Sequence, residues 1–360
     1  MSSSTGRPLT VLIQGTGLIG TSVGLALSSA GWTVHLRDPN ADALGQAHSL
    51  GAGSKDAVNV DDVDLVVVAA PPAVTAEVVT ASLNEFSRAI VTDVASLKEN
   101  ILRQVHAHPE SARFIGGHPL AGRELSGPTG ARSDLFEGRP WVITPSTDQD
   151  AALEVVERLI STVRADKIVM SAKKHDESVA ATSHLPQIMA SATAARLIAL
   201  DSEALSLSGQ GLRDVTRIAG SDPDLWGQII EGNAQALDAL LGEVIDDLTQ
   251  LRADLHDPSA NTSAVATDLV RKGQSGQARI PGKHGSSAQR YVNVSVVIPD
   301  EPGRLAALFD AVGLLGVNIE DVSLEHSPGQ PVGLATVFVI PASVDTLAQG
   351  LEDSGWVVYR

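Results

Sequence analysis

The chain has 360 residues, enough for two or three domains, and its 43% hydrophobic and 19% charged residues are typical of a globular protein. The net charge of −17 disfavours nucleic acid as a partner, and the absence of cysteine excludes disulfides and thiolate metal sites, so no metal is expected. The first residues lack the apolar segment of a signal peptide, and no apolar run approaches the roughly 20 residues of a membrane span, so a cytoplasmic protein without a membrane partner is expected.

A glycine-rich motif follows the first predicted strand, Leu9–Gln14. Its spacing is G-x-G-x-x-G, and a helical apolar pattern comes directly after it, which is typical of a dinucleotide-binding turn; a glycine-rich turn without a ligand is the alternative. The glycines permit a tight turn, a close approach of the pyrophosphate and close helix packing, while the helix amino terminus offers N–H groups to the phosphates. The predicted cofactor contacts are Gly15, Gly17, Leu18, Ile19 and Gly20.

An acidic residue, Asp38, ends the second predicted strand, Thr33–Arg37. A carboxylate at this place accepts hydrogen bonds from ribose hydroxyls and repels a 2′-phosphate, so the expected cofactor is NAD rather than NADP. The neighbouring Arg37 complicates this choice, because an arginine can neutralise a phosphate. Adjacent side chains of a strand point to opposite faces, so Arg37 and Asp38 are not expected to act together.

Alternating strands and helices continue to about residue 172 and indicate a Rossmann-type, doubly wound α/β sheet. Ligands of such sheets bind beyond the carboxyl ends of the strands. The further predicted strands are Val63–Pro72, Ala89–Ser96, Arg113–Ile115, 139–145 and 166–172.

Two polar residues, Ser96 and His118, are predicted to lie just beyond strand ends. His118 belongs to the segment GGHPLAG, residues 116–122, which is interpreted as a stiff turn that aims the imidazole; an incidental histidine on a turn is the alternative. Ser96 also suits a helix N-cap. The remaining histidines near this region, His106, His108 and His175, are interpreted as solvated loop residues.

The chain changes character after residue 172. Residues 173–270 predict an all-helical domain, with a break at Pro186, a helix start at Pro223 and a long amphipathic helix over 233–255. Residues 271–289 have the composition of a linker, and residues 290–360 predict a small βαββαβ domain.

Four segments, TDVASLKENI, GGHPLAGRELSGP, SHLPQ and RDVTRIAGSDPDLW, together resemble the prephenate/arogenate dehydrogenase family, and they occur in the family's order over nearly the whole chain. The tail segment IPDEPGRLAALFDAVGLLGVNIEDV is similar to an ACT domain, a small-molecule sensing module. The resemblance implies NAD-dependent oxidative decarboxylation of prephenate to 4-hydroxyphenylpyruvate, in which C4 loses hydride, the 4-hydroxyl loses a proton, and carbon dioxide leaves as the ring becomes aromatic.

The resemblance also assigns roles to individual residues. His118 accepts the hydrogen bond of the 4-hydroxyl, Ser96 contacts the same hydroxyl and the cofactor, and Arg217 binds the ring carboxylate. Arg213 and Glu124 match a basic–acidic pair near the pocket mouth; a surface ion pair of Arg213 with Asp214 or Glu124 is the alternative for that arginine.

The SHLPQ segment leaves the substrate open. His184 is interpreted either as a substrate contact or as a brace of the helix junction. Some relatives have a second histidine where this chain has Gln187, and an amide can donate a hydrogen bond but cannot carry charge. Prephenate, with a keto side chain, and arogenate, with an amino side chain, therefore both remain candidates.

Two other function classes stay as alternatives. A β-hydroxyacid-type dehydrogenase would use a lysine near the start of the long helix, where Lys173 and Lys174 occur, and a non-catalytic sensor would bind NAD and an amino acid without turnover. The ACT resemblance implies that tyrosine or phenylalanine binds the tail, at Asp300, Gly303 and Asn318; a tail that only dimerises is the alternative. A homodimer is the expected assembly.

Overall fold

The computed structural model describes residues 7–122, 127–257, 259–281, 291–326 and 331–359. Residue contacts divide the chain into two compact units, residues 1–245 and 246–360. The strands of the first unit are β1 (Thr10–Gln14), β2 (Thr33–Arg37), β3 (Leu65–Val68), β4 (Ile90–Asp93), β5 (Phe114–Pro119), β6 (Pro140–Thr144) and β7 (Asp166–Val169).

These seven strands form one sheet in the order β2-β1-β3-β4-β5-β6-β7. The pairs from β2 to β5 are parallel, β5 and β6 are antiparallel, and β6 and β7 are parallel. All four residues of β3 are buried, as expected for a central parallel strand covered by helices on both faces. The predicted Rossmann-type sheet is confirmed, with the difference that one strand pair is antiparallel.

The helices of the first unit fall into two groups, those that cover the sheet and those that follow it. The first group is α1 (Leu18–Ser29), α2 (Ala41–Ser49), α3 (Pro72–Glu85), α4 (Glu99–Val105) and α5 (Asp150–Thr162). The second group is α6 (Ala172–Val179), a π-helical turn (Ala180–His184), α7 (Leu185–Ala195), α8 (Ser202–Leu205), α9 (Gln210–Thr216), α10 (Pro223–Gly232) and α11 (Ala234–His256), whose last turns belong to the second unit. Short 3₁₀ turns cover Val60–Asp62, Ser111–Arg113, Pro128–Gly130, Arg196–Ala199 and Arg217–Gly220.

The helical region follows the predicted signals closely. Pro186 lies in the first turn of α7, directly after the π-helical turn, so the predicted break is a change of helix type rather than an interruption. Asp222 caps α10 by accepting hydrogen bonds from Asp224 N and Leu225 N, and Pro223 occupies the first helical position.

Three boundary predictions are wrong. The predicted strands Val63–Pro72 and Ala89–Ser96 are shorter, because their last residues form the turns that lead into α3 and α4. The predicted linker begins too early, since helix α12 (Thr262–Gln277) continues past residue 271. Its Lys272 forms ion pairs with Asp247 and Asp268, which stabilise the helix through residues that composition alone assigns to a linker.

The second unit carries the predicted βαββαβ order. Its elements after α12 are β8 (Val292–Pro299), α13 (Arg304–Leu314), β9 (Asp321–His326), β10 (Val332–Val339), a 3₁₀ turn (Pro341–Ser343), α14 (Val344–Asp353) and β11 (Val357–Tyr359). The four strands form an antiparallel sheet in the order β11-β8-β10-β9. A core of aliphatic side chains lies between this sheet and its two helices, so the tail is a small domain of its own. Among the described residues, no helix is long and apolar enough to cross a membrane.

Candidate active site

The turn between β1 and α1 has the geometry of a phosphate cradle. Gly15 has a φ of +104°, which favours glycine, and a Cβ on Gly20 would overlap the carbonyl oxygen of Gly15. By contrast, no described atom lies within 4 Å of the position that a Cβ on Gly17 would take. Within the described part of the chain, no side chain caps the amino end of α1, so its first N–H groups are available to an anion. These features fit the pyrophosphate of a dinucleotide.

This difference between the glycines gives a matched pair of variants. In Gly17→Ala the methyl group meets open space, so we expect a normal unfolding temperature and a weaker affinity for the dinucleotide, because the methyl occupies the path of the phosphates. In Gly20→Ala the helix must shift from the strand, at a cost of about 1–3 kcal/mol of folding free energy. Thermal unfolding and dinucleotide titration distinguish the two; equal loss of stability in both variants would contradict the cradle geometry.

Asp38 is held at the same turn. Its carboxylate accepts hydrogen bonds from Thr16 N at 2.6 Å, Thr16 Oγ1 at 2.8 Å and Asn40 N at 2.8 Å. Arg37 points elsewhere: its guanidinium donates two hydrogen bonds to Glu85, at 2.8 and 3.0 Å, and lies over the Phe86 ring. The acidic side chain therefore remains at the turn, while the arginine is bound to α3, an arrangement that favours ribose hydroxyls over a 2′-phosphate.

His118 lies inside strand β5, not on a turn after it. The strand continues through Pro119 because residues Gly116–Pro119 pair with β6, with His118 opposite Val142. The two glycines serve close packing: a Cβ on Gly116 would lie 2.6 Å from Thr144 Oγ1, and one on Gly117 would lie 2.6 Å from the Asp93 carbonyl oxygen. The predicted stiff turn is therefore wrong, and the glycines allow the strand that carries the histidine to approach its neighbours.

A chain of hydrogen bonds leads from His118 into the helical region. His118 Nδ1 lies 2.8 Å from His175 Nε2, and His175 Nδ1 lies 2.7 Å from Asp176 Oδ1. The Asp176 carboxylate also accepts hydrogen bonds from Lys98 N and Glu99 N, both at 2.9 Å, and thereby caps α4. The interpretation of His175 as a solvated loop residue is wrong, since both His175 and Asp176 are buried.

The surroundings keep His118 neutral. Burial is the main cause that holds the pKa of His118 well below its ordinary value of 6.5, and the nearby His175, Lys98 and His184 lower that pKa further. A neutral imidazole can accept a proton, so the site provides a general base near neutral pH.

A fully buried ion pair lies beside this network. Lys98 Nζ donates to Asp93 Oδ2, and the other oxygen of Asp93 accepts a hydrogen bond from Gly117 N at 3.1 Å. Burial raises the pKa of Asp93 and lowers that of Lys98, and each partner opposes the shift of the other. The pair thus joins α4 to the residue that precedes His118.

His184 is only 1% exposed and has the contacts of a brace. Asn233 Nδ2 donates to His184 Nδ1 at 3.1 Å and to the Asp176 carbonyl oxygen at 2.8 Å, and the Trp226 ring packs edge-on against the imidazole. Burial lowers the pKa of His184 to about 4; the charge of Asp176 raises it and that of His175 lowers it. Of the two interpretations of His184, these contacts favour the junction between α6, α7 and α10.

The other predicted substrate residues lie on neighbouring parts of the helical region. Gln187 is buried on α7 and accepts a weak hydrogen bond from Ser221 Oγ at 3.5 Å, and Ser221 directly follows the 3₁₀ turn that Arg217 begins. Arg217 and Arg213 are both exposed. Glu124 lies outside the described residues, and among the described ion pairs Arg213 does not pair with Asp214, whose carboxylate accepts instead from Gln210.

Ser96 lies in the turn between β4 and α4 and is half-buried. It is not the N-cap of α4, because that place belongs to Lys98 and the Asp176 carboxylate supplies the capping oxygens. Lys173 and Lys174 are exposed on α6, while the buried positions of the same turn carry His175 and Asp176. This placement does not support a lysine-based dehydrogenase.

Comparison with known proteins decides the family. Residues 23–169 match the model "Prephenate dehydrogenase, nucleotide-binding domain", and residues 171–271 match "Prephenate dehydrogenase, dimerization domain". The chain belongs to the prephenate dehydrogenase family. It is 34% identical over 357 residues to the Streptomyces niveus protein named "Probable prephenate dehydrogenase NovF", an alignment that covers 96% of this chain and 98% of that protein.

Solved structures of the prephenate dehydrogenase family have the same fold. A prephenate dehydrogenase from A. aeolicus, solved with hydroxyphenyl propionate and NAD+, has a TM-score of 0.66 and 26% identity and covers 76% of this chain and 98% of its own. The arogenate dehydrogenase of Synechocystis has a TM-score of 0.60 and 25% identity and covers 75% of this chain and 98% of its own. The nucleotide-binding model begins after the glycine-rich turn, so the cradle at Gly15–Gly20 is an observation independent of that match.

Sequence reasoning missed four members of the site: Asp93, Lys98, His175 and Asp176. Asp93 and Lys98 fall within the quoted TDVASLKENI segment, where a charged pair in an apolar strand–turn sequence is a signal for a buried interaction. His175 and Asp176 are adjacent on a helix whose first turn also carries two lysines. That local polarity indicates an exposed helix start, and only the packing against α4 shows otherwise. Among the described residues, no cluster of histidine and acidic side chains suits a metal ion.

Proposed function

We propose that this protein catalyses the NAD-dependent oxidative decarboxylation of prephenate to 4-hydroxyphenylpyruvate. The observation that carries the proposal is His118, a neutral base on the sheet that also bears the dinucleotide cradle, linked to a buried histidine and aspartate. Family membership supports it, and so does the A. aeolicus relative, whose structure contains NAD+ and hydroxyphenyl propionate.

The residues of the chain divide the work of this reaction. When bound, NAD accepts the hydride from C4 of the substrate ring. His118 takes the proton of the 4-hydroxyl as positive charge develops at C4. Ser96 donates a hydrogen bond to the same hydroxyl and would orient the nicotinamide. Asp38 would hold the adenosine ribose, and the first N–H groups of α1 would hold the pyrophosphate.

The preference between prephenate and arogenate is proposed to depend on how the side chain of the substrate interacts with Gln187. A neutral amide offers hydrogen-bond donors to a keto oxygen or a carboxylate and no negative charge to an ammonium group, which favours prephenate. Assays of NADH or NADPH formation, with prephenate and arogenate each paired with NAD and NADP, test the proposal. Fastest turnover is expected for prephenate with NAD; activity with arogenate alone would show an arogenate dehydrogenase, and no turnover of either substrate would refute the proposal.

Arg217 is proposed to bind the ring carboxylate of the substrate, and Arg213 and Glu124 are proposed to form a basic–acidic pair near the pocket mouth. Replacing Arg217 by Ala is expected to raise the KM for prephenate by about 10- to 100-fold, as for loss of a charge-assisted hydrogen bond worth about 1.5–3 kcal/mol. Steady-state kinetics measure this change. The control is Arg196→Ala, another exposed arginine of the helical region, and an unchanged KM in Arg217→Ala would contradict the assignment.

We propose a homodimer formed through the helical region. Residues 171–271 match the family's dimerization domain, and two large apolar side chains in this range, Ile198 and Leu207, are 87% and 85% exposed in the single chain. Contact with a second copy would remove such side chains from water.

The tail is proposed to be an ACT-like sensor of an aromatic amino acid, with tyrosine as the first candidate and phenylalanine as the second. Gly303 caps α13 in a left-handed conformation, with a φ of +84°, after the exposed Asp300. Asn318 precedes β9 rather than beginning it, and its side chain donates to Glu320 at 2.8 Å. Free N–H groups of α13 would hold the effector carboxylate, and Asp300 or Asn318 its ammonium group.

Deletion of residues 290–360 tests the sensor. We expect turnover to remain largely intact and inhibition by millimolar tyrosine or phenylalanine to be lost, because the two functions belong to separate cores. The full-length protein is the reference. If it neither binds nor responds to either amino acid, the tail is an assembly module.

A further inference from the structure

The proposed function does not explain why His175 and Asp176 are buried. Both side chains lie near the start of α6, within five residues of the Ser171 N-cap, where a helix would normally expose polar residues. Burial of such groups costs free energy unless each polar atom has a partner. Their hydrogen bonds therefore show what the two side chains do.

The partners of Asp176 fix the direction of the first hydrogen bond. Both carboxylate oxygens accept from backbone N–H groups, Oδ1 from Lys98 and Oδ2 from Glu99. An ionised carboxylate only accepts, so the 2.7 Å bond between Asp176 Oδ1 and His175 Nδ1 requires a hydrogen on that nitrogen. A neutral His175 then presents an unprotonated Nε2.

The direction of the second hydrogen bond follows. His175 Nε2 can only accept, so His118 Nδ1, 2.8 Å away, donates. Since a neutral imidazole carries one hydrogen, the lone pair available on His118 is that of Nε2. We propose that His175 and Asp176 are positioning residues that hold His118 in the tautomer with hydrogen on Nδ1, so that Nε2 receives the substrate proton.

The arrangement also fixes the His118 ring in space. The two imidazoles meet edge to face, at 74° with centroids 5.0 Å apart, and the backbone on the preceding side is anchored by the Gly117 N–H bond to Asp93. Asp176 itself is held on α4, while Asn233 binds its carbonyl oxygen. A ring held by these contacts presents one defined nitrogen to the substrate, which a free histidine would not do.

The tautomer is measured directly by nitrogen NMR of protein labelled with ¹⁵N in histidine, with the His118 signals assigned by their loss in His118→Asn. The expected wild-type spectrum shows Nδ1 protonated and Nε2 unprotonated, and His175→Leu shifts His118 toward the opposite tautomer or a mixture. A wild-type His118 with hydrogen on Nε2 would overturn the inference. This measurement needs no substrate, so it separates the inference from the proposed function on which its kinetic consequence rests.

Kinetics give the second test, with variants that separate positioning from space filling. His175→Leu keeps an apolar volume but removes the acceptor, and it is expected to lower kcat by about 10- to 100-fold with KM changed less than about twofold. His175→Gln restores an acceptor for His118 Nδ1 and is expected to recover much of the loss. The control His106→Leu, at an exposed histidine, should have no effect on kcat.

The outcomes are distinct. If His175 only fills space, the leucine variant will turn over at least as fast as the glutamine variant, which would overturn the positioning role. If wild-type protein shows the Nδ1-protonated tautomer but does not oxidise prephenate or arogenate, the proposed function fails and the tautomer assignment stands. Equal unfolding temperatures in both His175 variants ensure that the comparison reports on His118 rather than on folding.

Discussion

Replacing His118 by Asn is expected to lower kcat by about 10²- to 10⁴-fold while the affinity for NAD is unchanged. Asparagine preserves a polar side chain on β5 but cannot accept the proton of the 4-hydroxyl. The dinucleotide cradle lies at the β1–α1 turn, on other elements, so its geometry should persist. Steady-state kinetics and titration with NAD measure the two quantities, and unchanged turnover would refute the role of His118 as the base.

The pH profile gives the same residue a second signature. Because burial holds the pKa of His118 well below 6.5, the base is neutral at pH 7, and kcat/KM should be flat there and fall only in more acidic solution. Protonation of His118 is the event that removes activity as pH decreases. This decrease in kcat/KM at low pH should be absent from the residual activity of His118→Asn. The same decrease in that variant would show that another group is being protonated.

Replacing Lys98 by Met is expected to destabilise the sheet domain by about 3–5 kcal/mol, because it leaves the buried carboxylate of Asp93 without its cation. Asp93 and Lys98 are both fully buried, so water cannot replace the lost partner. Urea unfolding followed by tryptophan fluorescence measures the effect, since Trp141 is buried on β6 of the same sheet.

Two controls make this result specific. The double variant Lys98→Met with Asp93→Asn should recover most of the loss, because it removes the uncompensated charge and keeps an oxygen for the Gly117 N–H. Lys167→Met breaks an exposed ion pair with Glu157 and should cost only about 0–1 kcal/mol. A Lys98→Met variant as stable as Lys167→Met would contradict the burial of the pair.

The sequence alone determined the local features that depend on short-range chemistry. The G-x-G-x-x-G turn with Asp38, the Pro223 helix start and the βαββαβ order of the tail follow from glycine conformations, capping and apolar periodicity, which neighbouring residues set by themselves. The family motifs likewise indicate a prephenate dehydrogenase from the sequence alone.

The tertiary structure decided what distant residues do together. The register of β5 against β6 turned a predicted turn into a strand, and packing of α6 on α4 buried His175 and Asp176, which local sequence marks as exposed. The strand register depends on residues 22 to 28 positions apart and the burial of His175 and Asp176 on residues 57 to 78 positions apart, and no periodicity within a single segment encodes such contacts. The tertiary structure also joins Asp176, His175 and His118 in one chain of hydrogen bonds. That chain sets the direction of each hydrogen bond and thereby determines which nitrogen of His118 can act as the base.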